Sequence, residues 1–373
     1  MNTGRWCPLL ALIALVTASG SAQQDGDPVN VFGYLQGNFT HIALRGGKSY
    51  NSFGLQQMNL FLTRDLGDRY TVFSNLEFTN DYSSKDNWGT FKVEEAWGKY
   101  RLSNALSVKV GLLIPPFNNL NEIKNKTPLL PYIVRPLAYE SSLSEIFKMS
   151  DYVPQRAFVE VYGSVPTGAG DIEYAVYGGN AEESFISSGS GSGFPSGMDT
   201  SSFKLIGGRV GFRNNDLRCG VSAAVDKDNM RSPPMGVIQR LRLGTDLSVQ
   251  FSSFSVEAEA IYVDHFPNEQ QRYAIHLISM LSTGVKDRFD RLFYYGLLQY
   301  DFTDELFAYG AYMSVRSFSG AAVDGVRAYS GGGGYRITRS IVAKVQGVRY
   351  RTDSVNYTIM NMDILQAAVS LSF

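Results

Sequence analysis

The chain has 373 residues, with 34 Lys and Arg against 35 Asp and Glu, and a formal charge of −1. That balance excludes a dedicated nucleic-acid binder, which needs a basic surface. Only two cysteines occur, Cys7 and Cys219, so a disulfide framework is excluded too.

Residues 1–22 read as a secretory signal peptide. Arg5 gives the positive start, Leu9 to Val16 a short apolar core, and Gly20-Ser21-Ala22 a small-residue cleavage site. The core is too short to cross a bilayer as a helix. Cys7 precedes the core, so it is not placed as a lipoprotein cysteine. The exported chain then runs over 23–373, and Cys219 is its only cysteine. No later apolar run approaches the roughly 18 residues of a membrane helix.

From Val29 the chain alternates with a period of two, as strands with unlike faces do. In Val29 to Thr40, Val31, Leu35 and Phe39 share one face and Asn30, Gln36, Asn38 and Thr40 the other. Strands follow over Phe53 to Thr63 and Tyr70 to Asn80, joined by a turn at Asp65 to Asp68. Phe91 to Leu102 carries Glu95, Trp97, Lys99 and Arg101 on one face; the fifth strand puts Leu106, Val108, Val110, Leu112 and Ile114 outward and Lys109 inward.

The alternation then stops from Pro115 to Ser150, a stretch with five prolines. A connection this long inside a compact domain has a task of its own. Strands resume around Arg156, Phe158, Glu160 and Tyr162, and then Ile172 to Val176. The Gly/Ser-rich stretch Ser187 to Ser196 reads as a loop. Further strands cover Phe203 to Arg213, Leu217 to Val225, Val237 to Val249 and Phe254 to Tyr262. Val263 to Asp290 is a second long loop, with Tyr273 to Leu281 open to an extra strand pair or a short helix. Leu292 to Phe302, Leu306 to Val315, Val326 to Ile337, Ile341 to Tyr350 and Asp363 to Phe373 complete the set. In the last, Leu365, Ala367, Val369, Leu371 and Phe373 form one apolar face.

The pattern predicts about sixteen strands, within 14–18, in an all-β transmembrane antiparallel barrel. Alternation alone fits a soluble sandwich equally well. Export, the number of strands, and short turns alternating with longer loops favour the barrel. Twenty-two Tyr, 23 Phe and 37 Gly with 18% charged residues suit aromatic girdles and a lipid-facing wall. Sixteen strands enclose an aqueous lumen. The location expected is the bacterial outer membrane, with its lipids as partners.

Charges on the inner parity are the pore-lining candidates: Lys99, Arg101, Lys109, Arg156, Arg209, Arg213, Arg218, Arg240 and Arg242, with Glu77, Glu95, Glu160, Glu173, Glu257 and Glu259. A charge facing lipid at mid-bilayer costs ~2–4 kcal/mol, so these belong inside. There they set ionic selectivity, or pair across strands and only solvate the wall. Glu257 and Glu259 are matched in reach to Arg240 or Arg242. The long loop adds the constriction candidates Lys124, Lys126, Arg135 and Glu140. Its Lys124, Lys126, Arg135 and Lys148 face Glu122, Glu140 and Glu145, a weak positive bias.

Two resemblances add to this. The terminal Phe373 resembles the ending of bacterial outer-membrane barrels, where it is part of the signal read by the barrel assembly machinery. Gly98-Lys99-Tyr100, then Gly111-Leu112-Leu113-Ile114-Pro115-Pro116-Phe117, then Arg135-Pro136-Leu137-Ala138-Tyr139-Glu140 resemble the phosphate-selective porins O and P. The resemblance implies a sixteen-stranded porin, commonly a homotrimer, with the third loop folded into the lumen. No residue-by-residue match to a phosphate site is found, so that selectivity is not carried over.

Catalysis finds little support. His41, His265 and His276 stand in or near loops without a nucleophile motif, and no Gly-x-Ser-x-Gly, His-Glu-x-x-His or cysteine pair occurs. No cofactor is expected. The function expected is a porin for passive diffusion of small hydrophilic solutes and ions, with a mild anion preference. The alternatives are a specific transporter for hydrophobic or other dedicated substrates, for which Gln23 to Pro28 is too short a plug, and a structural surface barrel.

Overall fold

The computed structural model describes residues 28–45, 47–79, 89–140, 153, 156–181, 204–229, 237–273, 290–317, 325–352 and 361–373. The signal-peptide expectation for 1–22 lies outside them, as do the Ser187 to Ser196 stretch, His276 and the second part of the long loop, 141–150.

Sixteen strands form one antiparallel sheet closed on itself. They are β1 (Asn30–Leu44), β2 (Ser49–Leu66), β3 (Tyr70–Thr79), β4 (Thr90–Arg101), β5 (Ser107–Leu113), β6 (Arg156–Thr167), β7 (Gly170–Gly179), β8 (Leu205–Arg213), β9 (Leu217–Asn229), β10 (Val237–Phe251), β11 (Phe254–Phe266), β12 (Arg291–Asp301), β13 (Leu306–Ser317), β14 (Gly325–Thr338), β15 (Ile341–Thr352) and β16 (Met362–Ser372). Each pairs with its neighbours in sequence, and β16 returns to β1 with Leu35 opposite Leu371. Closure leaves no unpaired edge, which a lipid-exposed sheet requires.

The outer face carries the apolar parity: Val110, Val159, Val176, Ile206, Val210, Val221 and Leu365 are all exposed. Aromatic pairs stand at the short-turn end, Tyr70 with Tyr100 and Phe254 with Tyr300, both with ring centroids 4.7 Å apart. This is the wall-and-girdle arrangement of a membrane barrel.

Several strands are longer than alternation indicates. β2 begins at Ser49, β10 runs to Phe251 and β11 to Phe266. Ladder hydrogen bonds continue where both faces meet water, so periodicity fades before pairing does. β5 ends at Leu113 instead, and Ile114, expected outward, is 3% exposed at the start of the long loop. Of the ambiguous Tyr273 to Leu281 only Tyr273 is described, as the last residue of a helical turn over 269–273; the rest lies outside the described residues.

Phe373 closes the seam. Its N–H donates to the Gly33 carbonyl at 3.0 Å, and the Gly33 N–H donates back to the Phe373 carbonyl at 2.9 Å. Its ring remains exposed on the outer side. Deleting Phe373 is therefore expected to remove both bonds and the apolar end of β16 together, and to lower the outer-membrane level of folded barrel. The check is the heat-modifiable band in unboiled electrophoresis at low expression; a normal band would refute a role in assembly.

Candidate functional site

The long loop is built to enter the barrel. Gly111 sits at φ +141°, and a Cβ there would fall 2.3 Å from the Ala96 carbonyl oxygen, so only glycine fits where β5 presses on β4. Pro115 and Pro116 stiffen the entry. Phe117 is wholly buried, and Asn118 reverses the chain in the left-handed region at φ 57°, which Asn tolerates. The Asn118 N–H donates to Ser222 Oγ at 3.0 Å, and its amide to the Ala260 carbonyl at 3.3 Å. Gly244 lies beneath; a Cβ on it would meet Asn118 Oδ1 at 2.2 Å.

Beyond this point the loop is gripped from three sides. On β11, Glu259 accepts from the Leu120 N–H and from the Tyr139 hydroxyl, each at 2.7 Å, and so ties the outgoing leg to the returning one. On β1, β2 and β4, Asn125 is the focus. Its carbonyl accepts from the Tyr34 hydroxyl at 2.8 Å and from Gln57, and its amide donates to Glu94. On β15, Lys344 donates to the carbonyls of Thr127, Pro128 and Leu130, while Gln346 Oε1 accepts the Ile133 and Val134 N–H groups, both at 2.6 Å.

The polar grips frame an apolar core inside the barrel. Tyr132, Val134, Leu137, Ala138 and Tyr139 of the loop join inward residues of β11 to β16, among them Val263, Phe293, Tyr295, Met313, Val348, Tyr350 and Met362. Tyr139 meets Phe293 edge to face at 6.2 Å. The inner face is apolar over this sector, because the loop rather than water covers it. Such burial contributes about 25 cal/mol per Å2 and holds the loop as part of the fold.

The predicted charges divide into groups. Arg240 and Arg242 are buried against Asp226, with closest contacts of 2.7 and 2.9 Å. They do not turn to Glu257 or Glu259. Arg209 binds Asp246 at 2.6 Å and also reaches Asn119 of the loop at 3.2 Å. Arg213 and Arg218 share Glu173 at 3.2 and 3.3 Å. Lys109 pairs with Glu160 at 3.3 Å, with its ammonium near the Trp97 and Tyr162 rings. Arg135 donates to Asn125 Oδ1 at 3.0 Å and lies 3.7 Å from Glu140, whose carboxylate also accepts the Arg135 N–H at 3.0 Å. Lys99 stands opposite Lys109 in the ladder. Lys126 is half-buried in the loop, and Arg156 half-buried at the start of β6. Arg101 lies apart from all these, at the short-turn rim on the Asp68 carbonyl. The arginine wall is thus heavily compensated by Asp226, Asp246 and Glu173.

Sequence reading missed several participants. Lys92 and Glu94 were hidden by a bulge in β4: Asn75 faces Glu95, Leu76 faces Val93, and Glu94 is the extra residue turned inward. Lys92 then bridges Glu77 and Glu94 at 2.8 and 2.9 Å. Asp246, Lys344 and Gln346 were legible, since each shares the inner parity of its strand.

Toward the short-turn end, three clefts lie under the loop. One of about 330 Å3 is lined by Lys109, Glu122, Glu160, Glu173, Arg209 and Arg218. Another of about 800 Å3 runs between Pro128–Pro131 and Glu257, Asp304, Glu305, Arg336 and Arg339. A small one of about 100 Å3 shares Arg218 with the first and Glu257 with the second. Glu257 thus lines two of the clefts, whereas Glu259 borders only the small one and is held by the loop. Among the described residues no His, Cys, Asp or Glu group is arranged to hold a metal; His41 bonds Asn51 at 2.7 Å and His265 is buried.

Lys124 lies fully inside the loop's packing, its Nζ 2.9 Å from the Asn121 carbonyl. Burial lowers its pKa to about 7 from an ordinary lysine value of 10.5. Between these values an undocked loop binds more protons than a docked one, so docking strengthens as pH rises from about 7 to about 10. Limited proteolysis of the loop should slow over that range in the parent and show a flat pH dependence in Lys124→Met. Equal slopes would refute the coupling.

The fold and its lipid-facing wall define the chain as a bacterial outer-membrane β-barrel, located in the outer membrane. Neither a protein-family model nor a curated protein sequence matches it. Solved structures do. The anion-selective porin from Comamonas acidovorans is 12% identical over 93% of this chain and 100% of its own, with a TM-score of 0.62. The outer-membrane channel DcaP of Acinetobacter baumannii is 13% identical over 94% and 99%, at 0.61. In-vitro folded OmpT of Vibrio cholerae, in its trimer form, is 11% identical over 94% and 100%, at 0.57. At these identities the likeness is one of fold.

Proposed function

We propose that this barrel is a porin, a passive channel for small hydrophilic solutes and ions, with the Pro115 to Ser150 loop as its constriction. The observation that carries the reading is the loop held inside a sixteen-stranded barrel by grips on β1, β2, β4, β11 and β15. A barrel of this size without such a loop has a lumen wider than a filter needs. The clefts beneath the loop, with charges of both signs, provide polar surfaces for solutes.

A mild anion preference is the finer proposal. On β8 to β10, Arg209, Arg213, Arg218, Arg240 and Arg242 outnumber Asp226, Asp246 and the neighbouring Glu173. The residual positive field acts on ions in the lumen. Phosphate specificity is not part of the proposal: Lys124 is walled off and Arg135 is tied to Glu140, so the described part of the loop offers no ladder of cations open to the lumen. A homotrimer, and assembly through a terminal-Phe signal, rest on the resemblances given above.

Purified folded protein in a planar bilayer tests the reading. Stepwise conductance is expected, with a zero-current potential of anion-preferring sign in a KCl gradient. Folded protein that gives no steps refutes the porin, and a cation-preferring sign refutes the preference alone.

A further inference from the structure

We propose that Lys344 is the positioning residue of the constriction: its ammonium, seated in a cradle of three loop carbonyls, fixes the loop tip and with it the bore. Lys344 projects inward from β15 and is 3% exposed. Its three N–H groups meet three acceptors, the carbonyls of Thr127 at 3.0 Å, Pro128 at 3.1 Å and Leu130 at 2.9 Å. Among the described residues these are its partners, and no carboxylate is one of them. The cradle is the C-terminal end of the 3-10 turn Thr127–Leu129, where the Leu130 N–H caps only the Thr127 carbonyl, at 3.1 Å, and the backbone dipole favours a cation.

An ammonium is costly to bury, and a hydrophobic side chain would fill the same space at lower cost. What the ammonium adds is direction. Three bonds to three nearly consecutive residues fix the tip by its backbone. Gln346, two residues on, grips the next segment through the Ile133 and Val134 N–H groups. Removing the ammonium takes the donor from the Pro128 and Leu130 carbonyls, leaves the Thr127 carbonyl with the Leu130 N–H alone, and opens a vacancy shaped for a primary alkylammonium.

The test uses the full chain with Cys7→Ser, Cys219→Ser and Thr127→Cys, because Thr127 is buried at the tip. Thiol labelling reads tip release whether or not the barrel conducts. Lys344→Ala is expected to label at least about tenfold faster than the parent, since bonds to charged groups are lost. Millimolar n-propylammonium is expected to restore slow labelling. Lys344→Met, which keeps the apolar stem, is expected to label fast; it also serves if the alanine variant fails to fold. Slow labelling in Lys344→Met, or fast labelling of Lys344→Ala that propylammonium leaves unchanged, would overturn the proposal. In bilayers, the link from tip to bore rests on the porin reading: Lys344→Ala should raise conductance and current noise, both reversed by propylammonium. Labelling as expected with no conductance in the parent would sink the porin and spare the cradle; labelling as expected with unchanged conductance would sink the control of bore.

Discussion

Replacing residues 124–139 with a short Gly/Ser linker is expected to raise single-channel conductance several-fold. The excised stretch contains the Asn125 focus, the carbonyls held by Lys344, the amides held by Gln346 and the Tyr139 hydroxyl held by Glu259. No part of it is a strand, so the sixteen-stranded ladder has no need of it. The deletion also uncovers the inner apolar sector around Phe293, Tyr295 and Met313, so the variant should lose its heat-resistant band at a lower temperature than the parent. Burial of the loop stabilises that sector, whereas ladder pairing and lipid hold the wall. A deletion variant that folds but conducts like the parent would refute the constriction.

Asp226→Asn is expected to have the second large effect. Asp226 accepts from Arg240 through two nitrogens, at 2.9 and 2.7 Å, and lies 2.9 Å from Arg242. Breaking a buried pair by removing one partner's charge costs about 3–5 kcal/mol, because the remaining charges stay buried with less compensation. Two outcomes follow: a lower temperature of heat modification, and a zero-current potential shifted further toward anions. Reversing Arg240 and Arg242 to Glu is the more obvious charge test and the poorer one. It crowds three carboxylates into a buried site, so loss of assembly would mask any change in selectivity. An unchanged zero-current potential in folded Asp226→Asn would show that this cluster lies outside the ion path.

The strand pattern was legible because a lipid-facing wall demands apolar residues at every second position. Val110, Val159, Val176 and Val221 keep that parity without exception. The long loop was equally plain, since Pro115, Pro116, Pro128, Pro131 and Pro136 each lack the N–H that a ladder uses, and five in one stretch break it. Partners across strands were less legible. Pairing depends on register, and one bulge at Glu94 moved Lys92 and Glu94 to the inner face against local alternation.

Alternation and proline spacing, properties of neighbours in the chain, thus determined about sixteen strands and the irregular loop after the fifth, and the alternation of short turns with longer loops favoured a barrel over a sandwich. Only the tertiary structure decided what the inner charges do. Closing the barrel brings β15 to the loop tip, so that Lys344 meets carbonyls more than two hundred residues earlier. Strand register sets Arg240 and Arg242 against Asp226 and Arg209 against Asp246, and leaves Glu259 to hold the loop. These contacts are set by shear and loop path, which no short stretch of sequence encodes, and they replace a free cationic wall with a compensated one.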